Sequence, residues 1–72
     1  MRPLIYVDVN LAPGRSERIT VFLGDTASEL ASQFAIKHGL DYNMRLRLEG
    51  LLENQIAGLL ERAAMSEFHI SN

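Results

Sequence analysis

The sequence predicts a small α+β domain in which two β-strands precede two α-helices. Residues 4–11 and 16–23 each alternate apolar and polar residues, as half-buried strands do. A helix with capping residues at both ends follows at 26–39, and a long amphipathic segment occupies 41–64. This order leaves a two-stranded sheet with open edges, so we expect the domain to be completed by dimerisation or by another partner.

The two strands are predicted to form an antiparallel hairpin. In the first strand, one face carries Ile5, Val7, Val9 and Leu11, and the other carries Leu4, Tyr6, Asp8 and Asn10. In the second strand, Ile19, Val21 and Leu23 share one face, opposite Arg18, Thr20 and Phe22. Between them, Pro13 presets φ and Gly14 is free to take φ > 0, which favours a type II turn and leaves the register open.

The first helix is predicted from its capping residues. Thr26 followed by Glu29 forms a capping box, in which each side chain accepts a backbone N–H at the start of the helix. Gly39 supplies the left-handed position after the last turn, and Leu40 is the hydrophobic residue beyond it. One apolar stripe is then expected to lie across the aliphatic face of the hairpin: Leu30, Ala31, Phe34 and Ala35.

The second helix is predicted to begin after Asp41 as its N-cap and to run to about Ala64. Its apolar positions form one broad face: Met44, Leu48, Leu51, Leu52, Ile56, Leu59, Leu60 and Ala63. Gly50 and Gly58 each cost roughly 1 kcal/mol relative to Ala, and they mark either a close helix approach or tolerated weak positions. Residues 1–64 are thus taken as one interaction domain, and residues 65–72 as a short polar tail, unless Phe68 and Ile70 dock as an added strand.

The predicted lengths of the elements do not match. A helix of about 22 residues is roughly 33 Å long, whereas a strand of about eight residues spans roughly 26 Å. The second helix is therefore expected to extend beyond the hairpin. The apolar side chains in the extension need a partner to cover them: Ile56, Leu59, Leu60 and Ala63.

Composition narrows the functional classes. The 72 residues suffice for one domain of marginal core size, and the absence of cysteine excludes disulfides. The net charge of −2 has no basic patch typical of nucleic-acid binding. No apolar run is long enough for a membrane span, and the N-terminus does not resemble a signal peptide. We expect a folded, soluble, intracellular and cytoplasmic protein.

Three segments within residues 4–40 resemble the first half of the ubiquitin-like β-grasp fold: LIYVDVNL, ERITVFLGDT and ASELASQFAIKHG. The resemblance covers about half of the chain. It ends after Leu40, where a β-grasp domain would return to the sheet and this chain enters a long helix. The chain ends Ser71-Asn72 rather than Gly-Gly, so conjugation as a modifier is not expected.

A longer stretch also resembles a short module at the ends of cytoskeletal and coiled-coil proteins of protists: VDVNLAPGRSERITVFLGDTASELASQFAIKHGLDYNMRLRLEGLLENQIAGLL. This second resemblance implies a scaffold or targeting role, in which the domain anchors a larger cytoskeletal or scaffold protein.

Seven residues are predicted to form a partner or dimer interface: Tyr6, Phe22, Leu52, Ile56, Leu59, Leu60 and Ala63. Tyr6 and Phe22 either make an aromatic contact patch or simply stabilise the hairpin as a cross-strand pair. The leucine stripe of the second helix is either a dimer seam or core. For Leu52, as for Leu48, core is the favoured interpretation, whereas Leu59 and Leu60 favour an intermolecular contact because of the predicted extension.

No catalytic, cofactor-binding or metal-binding residue is predicted. His38 precedes Gly39, where an imidazolium interacts favourably with the helix C-terminus, and nothing brings Asp8 and Asp25 together. Neither His38 nor His69 has neighbouring cysteines or suitably spaced carboxylates for zinc. Residues 13–16 join two strands and lack the lysine of a phosphate-binding loop.

The preferred function is a non-enzymatic module that self-associates as a homodimer, through the leucine stripe and an exposed strand edge. The alternative is a monomeric, ubiquitin-like adaptor that binds a partner peptide at the hairpin edge or in a helix groove. A small enzyme is the third class, and it would need a nucleophile–base pair or a ligand cluster. We expect no cofactor, small-molecule substrate, nucleic acid or membrane as a binding partner.

Overall fold

The computed structural model describes residues 2–70, with side chains described up to residue 62. It contains two strands and two helices in the predicted order: β1 (Ile5–Ala12), β2 (Arg15–Val21), α1 (Ala27–His38) and α2 (Tyr42–Ile70). The two strands form one antiparallel sheet, and the helices follow them. The predicted α+β class and its β-β-α-α order are confirmed.

The hairpin connection consists of two residues, Pro13 and Gly14, whereas the predicted strands leave residues 12–15 between them. The register places Val7 opposite Ile19 and joins Ala12 to Arg15 at the turn. Gly14 has φ 76°, the left-handed value expected at the third position of a type II turn. The pairing is irregular between Asn10 and Ala12, where Leu11 forms a β-bulge.

The end of β2 differs from the prediction. β2 ends at Val21, and Leu23 is 77% exposed rather than on the apolar face of the sheet. A tight turn replaces the last strand residues: the N–H of Asp25 donates to the Phe22 carbonyl at 3.1 Å, and the Asp25 carboxylate accepts the N–H of Phe22 at 2.9 Å. Gly24, with φ 93°, completes the turn and ends the strand alternation two residues early.

Both ends of α1 lie where the sequence predicts them. The N–H of Glu29 donates to the Thr26 hydroxyl at 3.2 Å, and that hydroxyl donates to the Glu29 carboxylate at 3.0 Å. The Glu29 side chain thus contacts the capping hydroxyl instead of the Thr26 N–H. At the other end Gly39 is left-handed, with φ 66°, and the N–H of Leu40 donates to the Ala35 carbonyl, as in a Schellman motif.

Helix α2 starts as predicted and ends later. The Asp41 carboxylate accepts the N–H of Met44 at 2.8 Å, which confirms the N-cap. The helix continues to Ile70, about six residues beyond the predicted end near Ala64, and the backbone at Phe68 and Ile70 is helical rather than strand. No Gly or Pro stands between Ala64 and Ile70, so the sequence contains none of the usual signals that stop a helix.

The core lies between the aliphatic face of the hairpin and the two helices. Its fully or nearly buried members come from all four elements: Val7, Ile19, Val21, Ala27, Ala31, Phe34, Leu48 and Leu52. Partly buried residues surround them: Ile5, Val9, Leu11, Leu30, Leu40 and Ile56. The predicted apolar stripe of α1 is confirmed, with Leu30 at its edge.

The molecule is elongated. Its principal extents are 48 × 23 × 23 Å and its radius of gyration is 14.2 Å, whereas a compact chain of this length has a radius of gyration of about 11 Å. The long axis follows from α2, whose 29 residues are about 43 Å long at 1.5 Å per residue. No helix in the described part of the chain has the combined length and hydrophobicity needed to cross a bilayer.

Candidate interaction surfaces

The outer face of the hairpin carries a small polar and aromatic cluster. Asp8 and Arg18 are directly opposite in the register, and Arg18 Nε donates to Asp8 Oδ1 at 3.0 Å. The Arg18 guanidinium also lies 5.1 Å from the centre of the Tyr6 ring, at cation–π distance. The hydrogen bond to Asp8, together with the charge of Asp8, raises the pKa of Arg18 above its ordinary value. The cluster is exposed to solvent, so its electrostatic contribution is screened.

Tyr6 and Phe22 do not form a directly opposed cross-strand pair. The residue opposite Tyr6 is Thr20, and Phe22 lies beyond the end of β2. Tyr6 is 57% exposed, whereas Phe22 is half-buried beside the turn that ends the strand. Tyr6 is therefore the accessible aromatic of the two, and its contact within the chain is with Arg18.

The apolar stripe of α2 becomes more exposed along the helix. Leu48 and Leu52 are buried in the core. Ile56 is partly buried against the core, Leu59 is half-buried, and Leu60 is 63% exposed. Leu52, which the sequence included in the interface, has no exposed surface and is a core residue of the chain itself.

Helix α2 continues past its last described core contact through residues 57–70, here called the α2 extension. Ile56 is the last residue of α2, among those with described side chains, that packs against the core. From Ile56 to Ile70 the helix continues for about 21 Å at 1.5 Å per residue. Leu59 and Leu60 belong to this extension, and Ala63 lies beyond the described side chains. The predicted extension is thus present, and it is longer than expected.

A groove of about 310 Å³ lies between β1 and the first half of α2. It is here called the β1–α2 groove, and it is lined by Asp8, Val9, Asn10, Leu11, Leu40, Met44, Arg47, Leu48 and Leu51. Four consecutive residues of β1 line it, so residues from both faces of the strand reach it. A groove that runs along the strand edge accounts for this lining, because successive side chains point to opposite faces.

The β1–α2 groove lies along the unpaired edge of β1. β2 occupies the other edge of β1, and no residue of β2 lines the groove. From the sequence, the hairpin edge and a helix groove are expected only as general peptide sites, and the residues of this groove are not identified. The apolar residues Met44 and Leu51 were read only as part of the helix stripe, since the pattern does not show which strand edge the helix faces.

A second hollow, of about 320 Å³, lies at the corner where α1 leads into α2, and Leu40 separates it from the groove. Tyr42 and Ile36 are strongly exposed there. The Arg45 guanidinium lies 5.3 Å from the centre of the Tyr42 ring and donates from Nη1 to Glu49 at 3.0 Å. The positive charge of Arg45 at this corner is therefore already paired with Glu49 within the helix.

The described residues hold few groups suited to chemistry. No cluster of three or more His, Cys, Asp or Glu residues that could hold a metal ion occurs among them. His38 stacks on Phe34 with ring centres 4.3 Å apart, one turn along α1 and in the last turn of the helix. The predicted interaction of His38 with the helix C-terminus stays a prediction.

The chain was compared with protein-family models, with curated proteins and with solved structures. No family model matches, no curated protein matches, and no solved structure matches. The resemblance of residues 4–40 to the β-grasp fold therefore stays a prediction, and a functional interpretation rests on the chain's own surfaces.

Proposed function

We propose that this protein is a non-enzymatic protein–protein interaction module that self-associates through the α2 extension. The observation that carries the proposal is the position of Ile56, beyond which α2 continues for 14 residues past its last described contact with the core. Isolated helices shorter than about 12–15 residues are marginal in water, and most helices in proteins are stabilised by packing of an apolar face. A second copy of the extension supplies such packing.

The sequence of the extension suits pairing between helices. Ile56, Leu59, Ala63 and Ile70 are separated by three, four and seven residues, the intervals of a coiled-coil heptad. Leu60 adds a second large aliphatic side chain beside Leu59 of this row, and it is well exposed. Burial of a leucine stabilises by about 1.5–3 kcal/mol, and a symmetric dimer buries each such residue twice.

The resemblance to terminal modules of cytoskeletal and coiled-coil proteins supports a role in anchoring a larger scaffold protein in the cytoplasm. A helix that leaves one side of a small domain and pairs with its copy joins two chains at a defined point. In this interpretation the hairpin and α1 fix the start of α2, and the extension performs the association.

Mass in solution tests the proposal. Light scattering across a dilution series is expected to give a mass near twice 8.1 kDa at the higher concentrations. The double variant Leu59→Asp with Leu60→Asp is expected to shift the mass to that of a monomer, because four carboxylates would then meet in the interface. The matched control is Leu23→Asp with Leu46→Asp, which places the same charges at exposed leucines outside the extension.

Two results would overturn self-association through the extension. One is a monomer mass for the wild-type chain at every concentration, with unchanged helicity. The other is a dimer mass retained by the Leu59→Asp, Leu60→Asp variant, which would place the interface elsewhere on the molecule.

A further inference from the structure

We propose that the β1–α2 groove binds an extended peptide segment of another protein, which adds to β1 as a third strand. The peptide would carry apolar residues at alternate positions and a carboxylate that reaches Arg47. This activity goes beyond self-association and does not rest on it, since the groove lies at the first half of α2 and the extension at the second.

The first argument is the unpaired edge of β1. In a two-stranded sheet the outer edge of β1 presents main-chain N–H and C=O groups that no other described strand satisfies. The β-bulge at Leu11 ends the regular ladder, so the regular edge runs from Ile5 to Asn10. Strand addition uses such main-chain groups for affinity and a neighbouring pocket for specificity.

The two strands differ in how their edges are protected. β2 contains three charged residues, Arg15, Glu17 and Arg18, and charged side chains on an edge strand disfavour pairing. β1 contains one, Asp8, whose carboxylate is already bound by Arg18 at 3.0 Å. The edge that borders the groove is therefore the one suited to pairing.

The second argument is the wall opposite this edge. Met44, Leu48 and Leu51 stand at intervals of four and three residues on α2, and so they share one face of the helix. Met44 and Leu51 are partly exposed there, although large apolar side chains favour burial. The four lining residues of β1 span about 13 Å at 3.3 Å per residue. An added strand of similar length would direct two side chains toward the helix, because alternate residues share a face.

The third argument is charge. Two charged residues line the groove, Asp8 and Arg47. Asp8 is paired with Arg18, whereas no ion pair within the described part of the chain includes Arg47. The unsatisfied charge of the groove is thus positive, and guanidinium groups bind carboxylates through charge-assisted hydrogen bonds. The occupant is therefore expected to contain Asp or Glu.

A second copy of this chain does not meet these requirements. The extended segments of the described chain are β1 and β2, and their apolar residues Val7, Ile19 and Val21 are buried in their own core. A β1 strand from another copy could pair main chain to main chain, but its core-facing side chains pack against its own helices, and its exposed aromatic residue, Tyr6, already contacts Arg18. The occupant is accordingly assigned to a different protein.

Selection from a phage-displayed library of random ten-residue peptides on the immobilised full chain tests the proposal. Enriched peptides are expected to alternate apolar and polar residues and to contain an acidic residue. Failure to enrich any sequence would overturn it. Enriched peptides with apolar residues at intervals of three and four would also overturn it, because they would indicate a bound helix.

Main-chain pairing is tested by changing the peptide rather than the protein. One selected peptide is synthesised with N-methyl groups on its odd-numbered amides and, separately, on its even-numbered amides. Pairing along one edge of the peptide is expected to make one series lose at least tenfold in affinity while the other stays within about threefold. Equal tolerance of both series would exclude strand addition.

The groove itself is tested by matched substitutions, with fluorescence anisotropy of the labelled peptide as the readout. Leu51→Lys is expected to weaken binding at least tenfold, whereas Leu46→Lys, at a leucine of similar exposure on the same helix but outside the groove, is expected to leave it unchanged. Arg47→Gln is expected to weaken binding of the acidic peptide but not of its neutral analogue, with Arg15→Gln as the control. If Leu46→Lys weakened binding as much as Leu51→Lys, or Arg15→Gln as much as Arg47→Gln, the peptide would bind elsewhere on the molecule.

Discussion

Leu51 and Leu52 are adjacent in α2 and have opposite environments. Leu52 has no exposed surface and contributes to the core, whereas Leu51 is 40% exposed at the wall of the β1–α2 groove. The 100° rotation between neighbouring residues of a helix is enough to separate a core position from a binding surface.

This contrast predicts a difference in stability. Leu52→Ala is expected to lower the free energy of unfolding by about 2–5 kcal/mol, because it removes buried methyl groups and leaves a cavity. Leu51→Ala is expected to lower it by about 1 kcal/mol or less. Urea denaturation followed by circular dichroism measures both values. Similar losses for the two variants would contradict the burial pattern described for α2.

The N-cap of α1 can be tested at Thr26. Thr26→Ala is expected to destabilise the domain by ~1 kcal/mol, since the Glu29 N–H loses its acceptor. The control is Ser28→Ala in the first turn, an exposed position where alanine is the better helix former and no loss is expected. An unchanged melting midpoint for Thr26→Ala would argue against a helix start at this residue.

Two glycines are expected to respond to alanine in opposite directions. A methyl group at Gly50 would have no neighbour within 4 Å, so Gly50→Ala should stabilise α2 by up to about 1 kcal/mol. Gly39 is left-handed, with φ 66°, and Gly39→Ala is expected to cost about 1 kcal/mol through backbone strain. Thermal denaturation of the two variants checks the signs. A loss at Gly50 only at high concentration would mean that this position needs glycine for a contact outside the monomer, whereas a loss at all concentrations would contradict the open space found around it.

Self-association also has a thermodynamic signature. Only folded chains can associate through the α2 extension, so association stabilises the folded state. The melting midpoint is therefore expected to rise with protein concentration. In the Leu59→Asp, Leu60→Asp variant the midpoint should be lower and independent of concentration. Calorimetry over a hundredfold concentration range measures this dependence, and a constant wild-type midpoint would contradict the proposed association.

Features set by local chemistry were predictable from the sequence. The Thr26 and Asp41 caps, the Gly39 terminator and the Pro13-Gly14 turn each depend on residues within a few positions, and each lies where it was predicted. Leu23 was placed wrongly because the strand alternation continues through it in sequence, whereas the turn made by Gly24 and Asp25 ends the strand first.

Features that depend on tertiary placement were not predictable. The stripe of α2 did not show where the core ends along the helix. Leu52 was therefore included with Leu60 in the predicted interface, although core was the favoured interpretation for Leu52, and the structure buries Leu52 and exposes Leu60. The β1–α2 groove could not be found either, because the helix residues that line it meet β1 only after the chain folds. The end of α2 was predicted too early because the polar composition of residues 65–72 was interpreted as a tail.

The main contacts between elements join neighbours in the chain, β1 with β2 and α1 with α2. The two elements of each pair are joined by a short connection, so bringing them together costs little chain entropy. Topologies dominated by such local contacts fold in microseconds to milliseconds. The domain is therefore expected to fold quickly once its last helix has been synthesised, which leaves little time for the apolar face of the hairpin to be exposed to other unfolded chains.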